Sequence, residues 1–551
     1  MSGDDWLDLS PSPTQGDLMS VRTTPVLVVG GSLSGLCTAL FLSRHGLDVT
    51  LAERHPGTSI HPRTPGYNAR TLELFRAAGV EDAVRAAGPW ALDGTGLLWA
   101  ESLTSPNHRW LRPPNARGAQ ADYSDVSPAD DAILSQDVLE PVLREHAEAL
   151  GADLLFGTEL VAFANDPGGV TAVLADRATG ARTEVEAGYL VAADGADSAI
   201  RDRLKIDRHG PGVLENVAAI MVRADLGDAL RGKRFVIGQV SNPGFSGMVR
   251  VVGDRISLHV RYRPADGDAA DLFPAARCVE LARAATGIPG LDVEVLDVTP
   301  WQTTAAVADR FADGRVFLVG DAAHVMPPAG AYGGNTGIHD AANLAWKLAY
   351  VSRGWAGPAL LDGYDAERRP IAEITMNQAV ATRTAWFGRA NPSGTPETEL
   401  LDEVSLLFGY RYPPPGTDGP LVEDPRRPGG EPGSRVPHVW LEIGGERLST
   451  VDLWARGMVL LAGAEGGGWA RAADAVARAR GLPLTGHVIG DVIGGDAIDV
   501  EGRWPEMSGT SPEGATLVRP DGFIAWRTSD PAGPDAHAVL AGVLARTLDA
   551  P

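Results

Sequence analysis

Apolar and polar positions divide this chain into segments of different period. Val26-Leu27-Val28-Val29 is an unbroken apolar run, the kind that fills a strand buried on both faces of a parallel sheet. A glycine-rich turn follows, then the helical run Leu36 to Leu42, the closing pair His45-Gly46, and a second strand from Val49 to Glu53. Together they predict a βαβ unit of roughly thirty residues. Farther on, alternating text marks Phe235-Val236-Ile237, Met248 to Val252 and Ile256 to Val260. Turns at Asn242-Pro243-Gly244 and Gly253-Asp254 make this an antiparallel sheet. Val316 to Val319 predicts another buried strand, leading through more glycines to a helix from about Gly337 to Val351. Tyr410 to Arg435 is rich in Pro, Gly and Arg and reads as a linker before a separate α/β segment.

The expected class is therefore α/β plus α+β, with no internal repeat. A Rossmann-type nucleotide-binding domain is assembled from 21–82, 130–206 and 299–400. A β-rich middle domain, 83–129 and 207–298, interrupts it, and its first piece is loop-rich with Pro106, Pro113 and Pro114. A linker over 401–435 and a C-terminal domain over 436–551 follow, and residues 1–20 read as a flexible extension.

Composition narrows the function. The 551 residues are 44% hydrophobic, enough for sizeable cores, and carry a formal charge of −23, which repels phosphate backbones and anionic lipid. Nucleic-acid and membrane partners are thus disfavoured. Two cysteines, Cys37 and Cys278, exclude a disulfide framework and a cysteine-based zinc site, and no metal is expected. No apolar run approaches a membrane span, and the start lacks the basic flank and apolar stretch of a secretory signal. The expectation is a cytoplasmic protein.

The candidate chemistry lies in the turns. Gly30-Gly31-Ser32-Leu33-Ser34-Gly35 sits where a G-x-G-x-x-G turn belongs, between strand and helix, with Ser32 in place of the middle glycine. The helix N-terminus offers N–H groups to a pyrophosphate, while the Ser32 hydroxyl offers a donor in return for the lost glycine. Glu53, ending the second strand, is placed to accept from ribose hydroxyls. Arg54 beside it reads either as a reader of a 2′-phosphate or as a solvated side chain. Two further strand ends follow: Val191-Ala192-Ala193-Asp194-Gly195, and Val319-Gly320-Asp321-Ala322-Ala323-His324 running on to Pro328, Gly333-Gly334-Asn335-Thr336-Gly337 and Asp340. An aspartate at a strand end accepts from ribitol or ribose hydroxyls.

These three fingerprints in order, with Tyr364-x-x-Glu367-Arg368-Arg369-Pro370, resemble the class A flavoprotein monooxygenases of the para-hydroxybenzoate hydroxylase fold. The text from His61 to Phe75, with Pro437 to Leu441, Ser449 to Leu453 and Leu517 to Phe523, is similar to the subgroup acting on polycyclic aromatic polyketides. The resemblance implies non-covalent FAD held by Gly30, Ser32, Leu33, Ser34, Gly35, Glu53, Arg54, Arg63, Gln136, Asp194, Asp321, Pro328, Gly333, Gly334, Asn335 and Thr336. It implies hydride from NADPH or NADH, O2 addition at flavin C4a, and oxygen transfer to a phenolic polyketide. Arg63 and the glycine-rich loop from Pro327 to Gly337 are implied gates, that loop lying over the flavin ring. The C-terminal segment resembles a thioredoxin-like domain, yet no cysteine follows Cys278, so a redox role there is excluded.

Gln239, Met248, Arg250, His259 and Arg261 alternate along the antiparallel strands, and some must face the substrate; the text leaves open which face. His259 reads as a base or as a packed residue, and His324 as a proton relay or a structural residue. A Baeyer–Villiger or ring-cleaving oxygenase on the same scaffold, or a flavin protein that only sequesters a polyketide, shares every motif. Monomer and homodimer are equally open.

Overall fold

The computed structural model describes residues 20–550 except 62, 65, 89–95, 113–121, 268, 388–397, 418 and 492–494. The expected N-terminal extension up to residue 19, and Pro113 and Pro114, lie outside the described residues.

The first sheet is built on the βαβ unit. Strand Ser20–Val29 pairs in parallel with Val49–Glu53 on one side and with Arg182–Ala192 on the other. Val316–Leu318 adds in parallel beyond Arg182–Ala192, and Asp153–Phe156 beyond Val49–Glu53. The first strand begins six residues before the apolar run that marks it, because its polar start pairs with Thr183 to Ala187. Val26, Leu27 and Val28 are fully buried, as are Leu51 and Leu190 beside them, which is why the run is continuous rather than alternating. Helix Leu33–Arg44 covers one face and packs on helix Tyr332–Ser352.

The second sheet has eight strands in the order 324–325, 294–308, 208–223, 255–262, 245–252, 235–242, 96–100 and 108–112. The two hairpins expected from sequence are present, and Asn242 Oδ1 accepts from the N–H groups of Gly244 and Phe245 to close the first. One face of this sheet, with Val240, Val249, Leu258, Ile220 and Val222, is buried against helix Ala275–Thr286. Burying five such side chains contributes on the order of 10 kcal/mol.

The third sheet lies wholly in the C-terminal part. Strand 458–462 is parallel to 484–490 and antiparallel to 515–518, which pairs with 524–528; helices Gly467–Arg480 and Ala536–Thr547 pack together on it. The Pro/Gly/Arg-rich stretch is no loose tether. Helix Glu403–Phe408 leads into it, and its Tyr410 and Tyr412 are buried beside Phe523. Buried ion pairs cross the same seam: Glu73 lies between the guanidiniums of Arg70 and Arg435, and Arg519 makes a two-pronged contact with Glu367. Cys37 and Cys278 are both buried and unpaired. Among the described residues, no helix is long and apolar enough to cross a membrane, and no metal-ligand cluster occurs.

Candidate active site

Strands 316–318, 182–192 and 20–29 are parallel neighbours, so the three turns read from sequence open side by side on one edge of the sheet. That carboxyl edge is where open α/β sheets bind ligands. Gly30 has φ +109°, and a Cβ there would stand 2.2 Å from the Ala193 carbonyl oxygen. At Gly35 a Cβ would stand 1.8 Å from the Gly30 oxygen. Glycine alone lets turn, helix and neighbouring strand end approach this closely. No side chain caps the first turn of helix Leu33–Arg44, leaving its dipole end for an anion. Glu53, nearly buried, accepts from the Gly31 N–H (2.6 Å) and the His55 N–H (2.7 Å). Arg54 is exposed beside it.

Two serines of the turn depart from expectation. The Ser32 hydroxyl is engaged within the protein: it donates to Glu140 Oε1 (2.6 Å) and accepts from Gln136 Nε2 (2.8 Å). Glu140, fully buried, also takes the Ser59 N–H (2.7 Å), so one carboxylate ties the turn, helix Gln136–Ala149 and the loop after Glu53 together. Ser34 is wedged between glycines: a Cβ at Gly320 or Gly337 would stand 2.2 or 2.4 Å from its Oγ. It lies where helices Leu33–Arg44 and Tyr332–Ser352 meet.

The aspartates behave as carboxylates short of donors. Asp194 Oδ2 accepts from the Ile200 N–H (3.2 Å), while Oδ1 is buried with no partner. Desolvation raises its carboxyl above the ordinary range. Leaving such an acceptor unpaired costs about 1–3 kcal/mol, so the site calls for a hydroxyl donor. Asp321 opens on the crevice yet is enclosed on its other sides; desolvation raises its carboxyl too, opposed by His324 and Arg63. These features fit a ribityl and ribose chain with a pyrophosphate.

The second glycine-rich segment is a helix where a loop was expected. Gly330 (φ +81°) and Ala331 (φ +56°) turn the chain, and helix Tyr332–Ser352 starts at once, with no capping side chain. Asn335 is the cause. Its Oδ1 accepts from the Asn68 N–H and the Thr71 hydroxyl, and its Nδ2 donates to the Ala331 carbonyl (2.7 Å), pinning the first turn. Thr336 Oγ1 donates to the Tyr332 carbonyl (2.9 Å). The side chains of Asn335 and Thr336 therefore donate to the carbonyls of the helix's own first turn. Gly333 and Gly334, half-buried, form the open start of this helix, Gly333 beside Met326 and Gly334 beside Leu33 and Thr64; Pro328 lies exposed just before them.

Facing this crevice is the uncovered face of the eight-stranded sheet. Gln239, Met248, His259, Ala219 and Thr299 stand directly opposite one another across five strands. Arg250, Ser257, Met221 and Asp297 form the next row on the same face. Arg250 donates to the Arg63 carbonyl (3.5 Å), and Arg255 donates to Asp137 Oδ2 (2.9 Å) across the gap. Three buried polar atoms here have no partner: Gln239 Oε1, His259 Nδ1 and Trp301 Nε1. Burial, then Arg250 and Arg63, push His259 down to about 4, so its imidazole is neutral at neutral pH. Burial also lowers Arg250, opposed by Asp137 and Tyr67. Arg261 shares a row of that face with Trp301, both opposite Val217, but is exposed and reaches Glu215 (3.4 Å). Trp301 lay in no motif; Tyr67 lay within the His61 to Phe75 text with no role read for it, and Asp137 and Glu140 follow Gln136 on its helix, Glu140 one turn beyond.

His324 sits beneath the crevice, not in it. It is 1% exposed, and its Nε2 lies 2.6 Å from Asp340 Oδ2.

Residues 23–379 match the FAD binding domain family, and residues 430–551 match the aromatic-ring hydroxylase C-terminal family. The chain belongs to the flavoprotein aromatic-ring hydroxylases. Among relatives of this hydroxylase is the tetracenomycin A2 monooxygenase-dioxygenase of Streptomyces glaucescens, 40% identical over 97% of this chain and 99% of that one. The 4-methyl-5-nitrocatechol 5-monooxygenase of a Burkholderia species is 42% identical over 95% and 97%. The solved structure of aklavinone-11 hydroxylase with FAD and aklavinone superposes with a TM-score of 0.86 at 39% identity, covering 96% of this hydroxylase and all of that chain.

Proposed function

We propose that this hydroxylase uses NAD(P)H and O2 to insert one oxygen atom into an electron-rich phenolic ring of a polycyclic aromatic polyketide. The observation that carries the reading is the set of orphaned polar atoms, Gln239 Oε1, His259 Nδ1 and Trp301 Nε1, on the sheet face that looks into the flavin crevice. One acceptor, one imidazole and one donor, spread over several strands some 5 Å apart, suit a planar molecule with oxygen functions along its length.

When bound, FAD supplies the hydride-accepting and oxygen-activating chemistry that side chains lack. The residues that would hold it are the backbone from Gly30 to Gly35, with Glu53, Arg54, Arg63, Asp194 and Asp321. Gln136 acts through Ser32 and Glu140. The start of helix Tyr332–Ser352, at Gly333 and Gly334 beside Pro328, would offer a positive dipole end to negative charge on a bound flavin. Arg250, a desolvated cation, favours the phenolate form of the substrate, and phenolate is the electron-rich form that accepts an electrophilic oxygen. The neutral His259 orients a phenolic hydroxyl through Nδ1. The sheet and crevice walls exclude water between them.

The test is incubation with labelled dioxygen, NADPH and a panel of tetracyclic and tricyclic phenols. One labelled oxygen in a hydroxylated product supports the reading; a lactone or opened ring moves it to the Baeyer–Villiger class. The Burkholderia relative favours a second reading, a monocyclic catechol substrate, which the same panel decides when nitrocatechols are included.

A further inference from the structure

A chain of buried side chains runs from the C-terminal part to the floor of the crevice. Asp340, fully buried in helix Tyr332–Ser352, takes His324 on one oxygen together with the Gly320 N–H (3.2 Å). Its other oxygen accepts from Arg368 Nε (2.8 Å). Arg368, also fully buried, reaches in two more directions: one terminal nitrogen donates to the Thr336 carbonyl (3.3 Å), the other to the Tyr412 hydroxyl (2.8 Å). Tyr412 belongs to the Pro/Gly-rich strap, and its ring packs tilted against Phe523 with centroids 4.1 Å apart. The strap is itself laced to the C-terminal sheet, since Gly433 accepts from the Tyr412 N–H and donates to the Ile524 carbonyl.

Both ends of this chain matter. Gly320 precedes Asp321, and Thr336 lies in the first turns of the helix whose start faces the crevice. The single carboxylate of Asp340 thus holds the two segments that the preceding proposal places against the flavin. Arg368 and Asp340 share one hydrogen bond, and their remaining polar atoms are committed to the Gly320 turn, His324, Thr336 and Tyr412, so displacing one moves the other.

We propose that the C-terminal domain of this hydroxylase is a positioning element for the cofactor, acting through Tyr412, Arg368 and Asp340 on the Gly320-Asp321 turn and the start of helix Tyr332–Ser352. The domain lacks the cysteines of a redox module, and this linkage gives it a different task. The proposal rests on the flavin reading of the crevice. Tyr412, Arg368 and Asp340 are positioning residues: none of them opens on the crevice.

The test is Tyr412→Phe, which keeps the ring packing against Phe523 and deletes one hydroxyl, with Asp340→Asn as the stronger variant. FAD is titrated into each apoprotein, and the flavin midpoint potential and visible spectrum are recorded in the reconstituted proteins. Tyr412→Phe is expected to weaken FAD about three- to tenfold, a part of the roughly ten- to hundredfold that one hydrogen bond to a charged group is worth, and to shift the potential and the long-wavelength band. Asp340→Asn moves all three further in the same direction. Unchanged FAD affinity, potential and spectrum in Tyr412→Phe overturn the proposal, even where thermal stability falls. A wild-type protein that binds no FAD refutes the flavin reading itself, and so is told apart from failure of the linkage alone.

Discussion

Replacing Gly35 by Ala tests the turn at its tightest point. The added Cβ would stand 1.8 Å from the Gly30 carbonyl oxygen and 3.0 Å from its carbon. Ordinary contact begins at 3.4 Å, so about 1.6 Å has to be opened. Both obstructing atoms are backbone and have no rotamer with which to yield. Relief comes only by lifting helix Leu33–Arg44 away from the turn, which moves the first-turn N–H groups off the pyrophosphate position. Overpacking of this kind costs about 1–3 kcal/mol. Binding FAD has to reverse the displacement, so the dissociation constant should rise between about fivefold and a hundredfold. The assay is quenching of flavin fluorescence on titration into apoprotein. Gly168→Ala is the control: a Cβ there meets nothing within 4 Å, and FAD affinity should stay at the wild-type value. Wild-type affinity in Gly35→Ala would refute the placement of the pyrophosphate.

Asp321→Ala should purify largely free of flavin, seen as the loss of yellow colour, because it removes an acceptor that faces the crevice. Glu73→Gln should destabilise the protein by about 3–5 kcal/mol in urea unfolding, since Arg70 and Arg435 are left buried without their shared carboxylate. His45, His259 and His438 are each depressed to about 4, chiefly by burial, against about 6.5 in an unfolded chain. The unfolded state therefore binds more protons between these values. Stability should be complete above about pH 6.5 and fall as pH drops toward 4, and His259→Gln should flatten part of that slope. Trp301→Phe removes the orphaned indole donor and should raise KM for the aromatic substrate several-fold, with FAD affinity unchanged.

Local text made the nucleotide-binding half legible. The βαβ unit, the three strand ends and the hairpins at Asn242 and Gly253 are encoded by neighbours in sequence, and the structure places Gly30, Asp194 and Asp321 on one edge. What sequence could not show depends on partners far along the chain. Helix Tyr332–Ser352 starts over glycines that argue against a helix, because Asn335 is held by Asn68 and Thr71. The orientation of Gln239, Met248, Arg250 and His259 was undecidable from alternation alone; helix Ala275–Thr286 covers the other face and settles it. Glu140 accepts from the Ser32 hydroxyl across 108 positions of sequence. The strap around Tyr410 and Tyr412 reads as linker by composition, yet its two tyrosines are buried where they meet Phe523.

The most direct test of the central claim is anaerobic reduction of the bound flavin by NADPH, and separately by NADH, with and without each member of a panel of polycyclic phenols. The account predicts that one nicotinamide bleaches the flavin and that a polycyclic phenol accelerates bleaching. A yellow protein that neither nicotinamide reduces, with any of the phenols present, would contradict it.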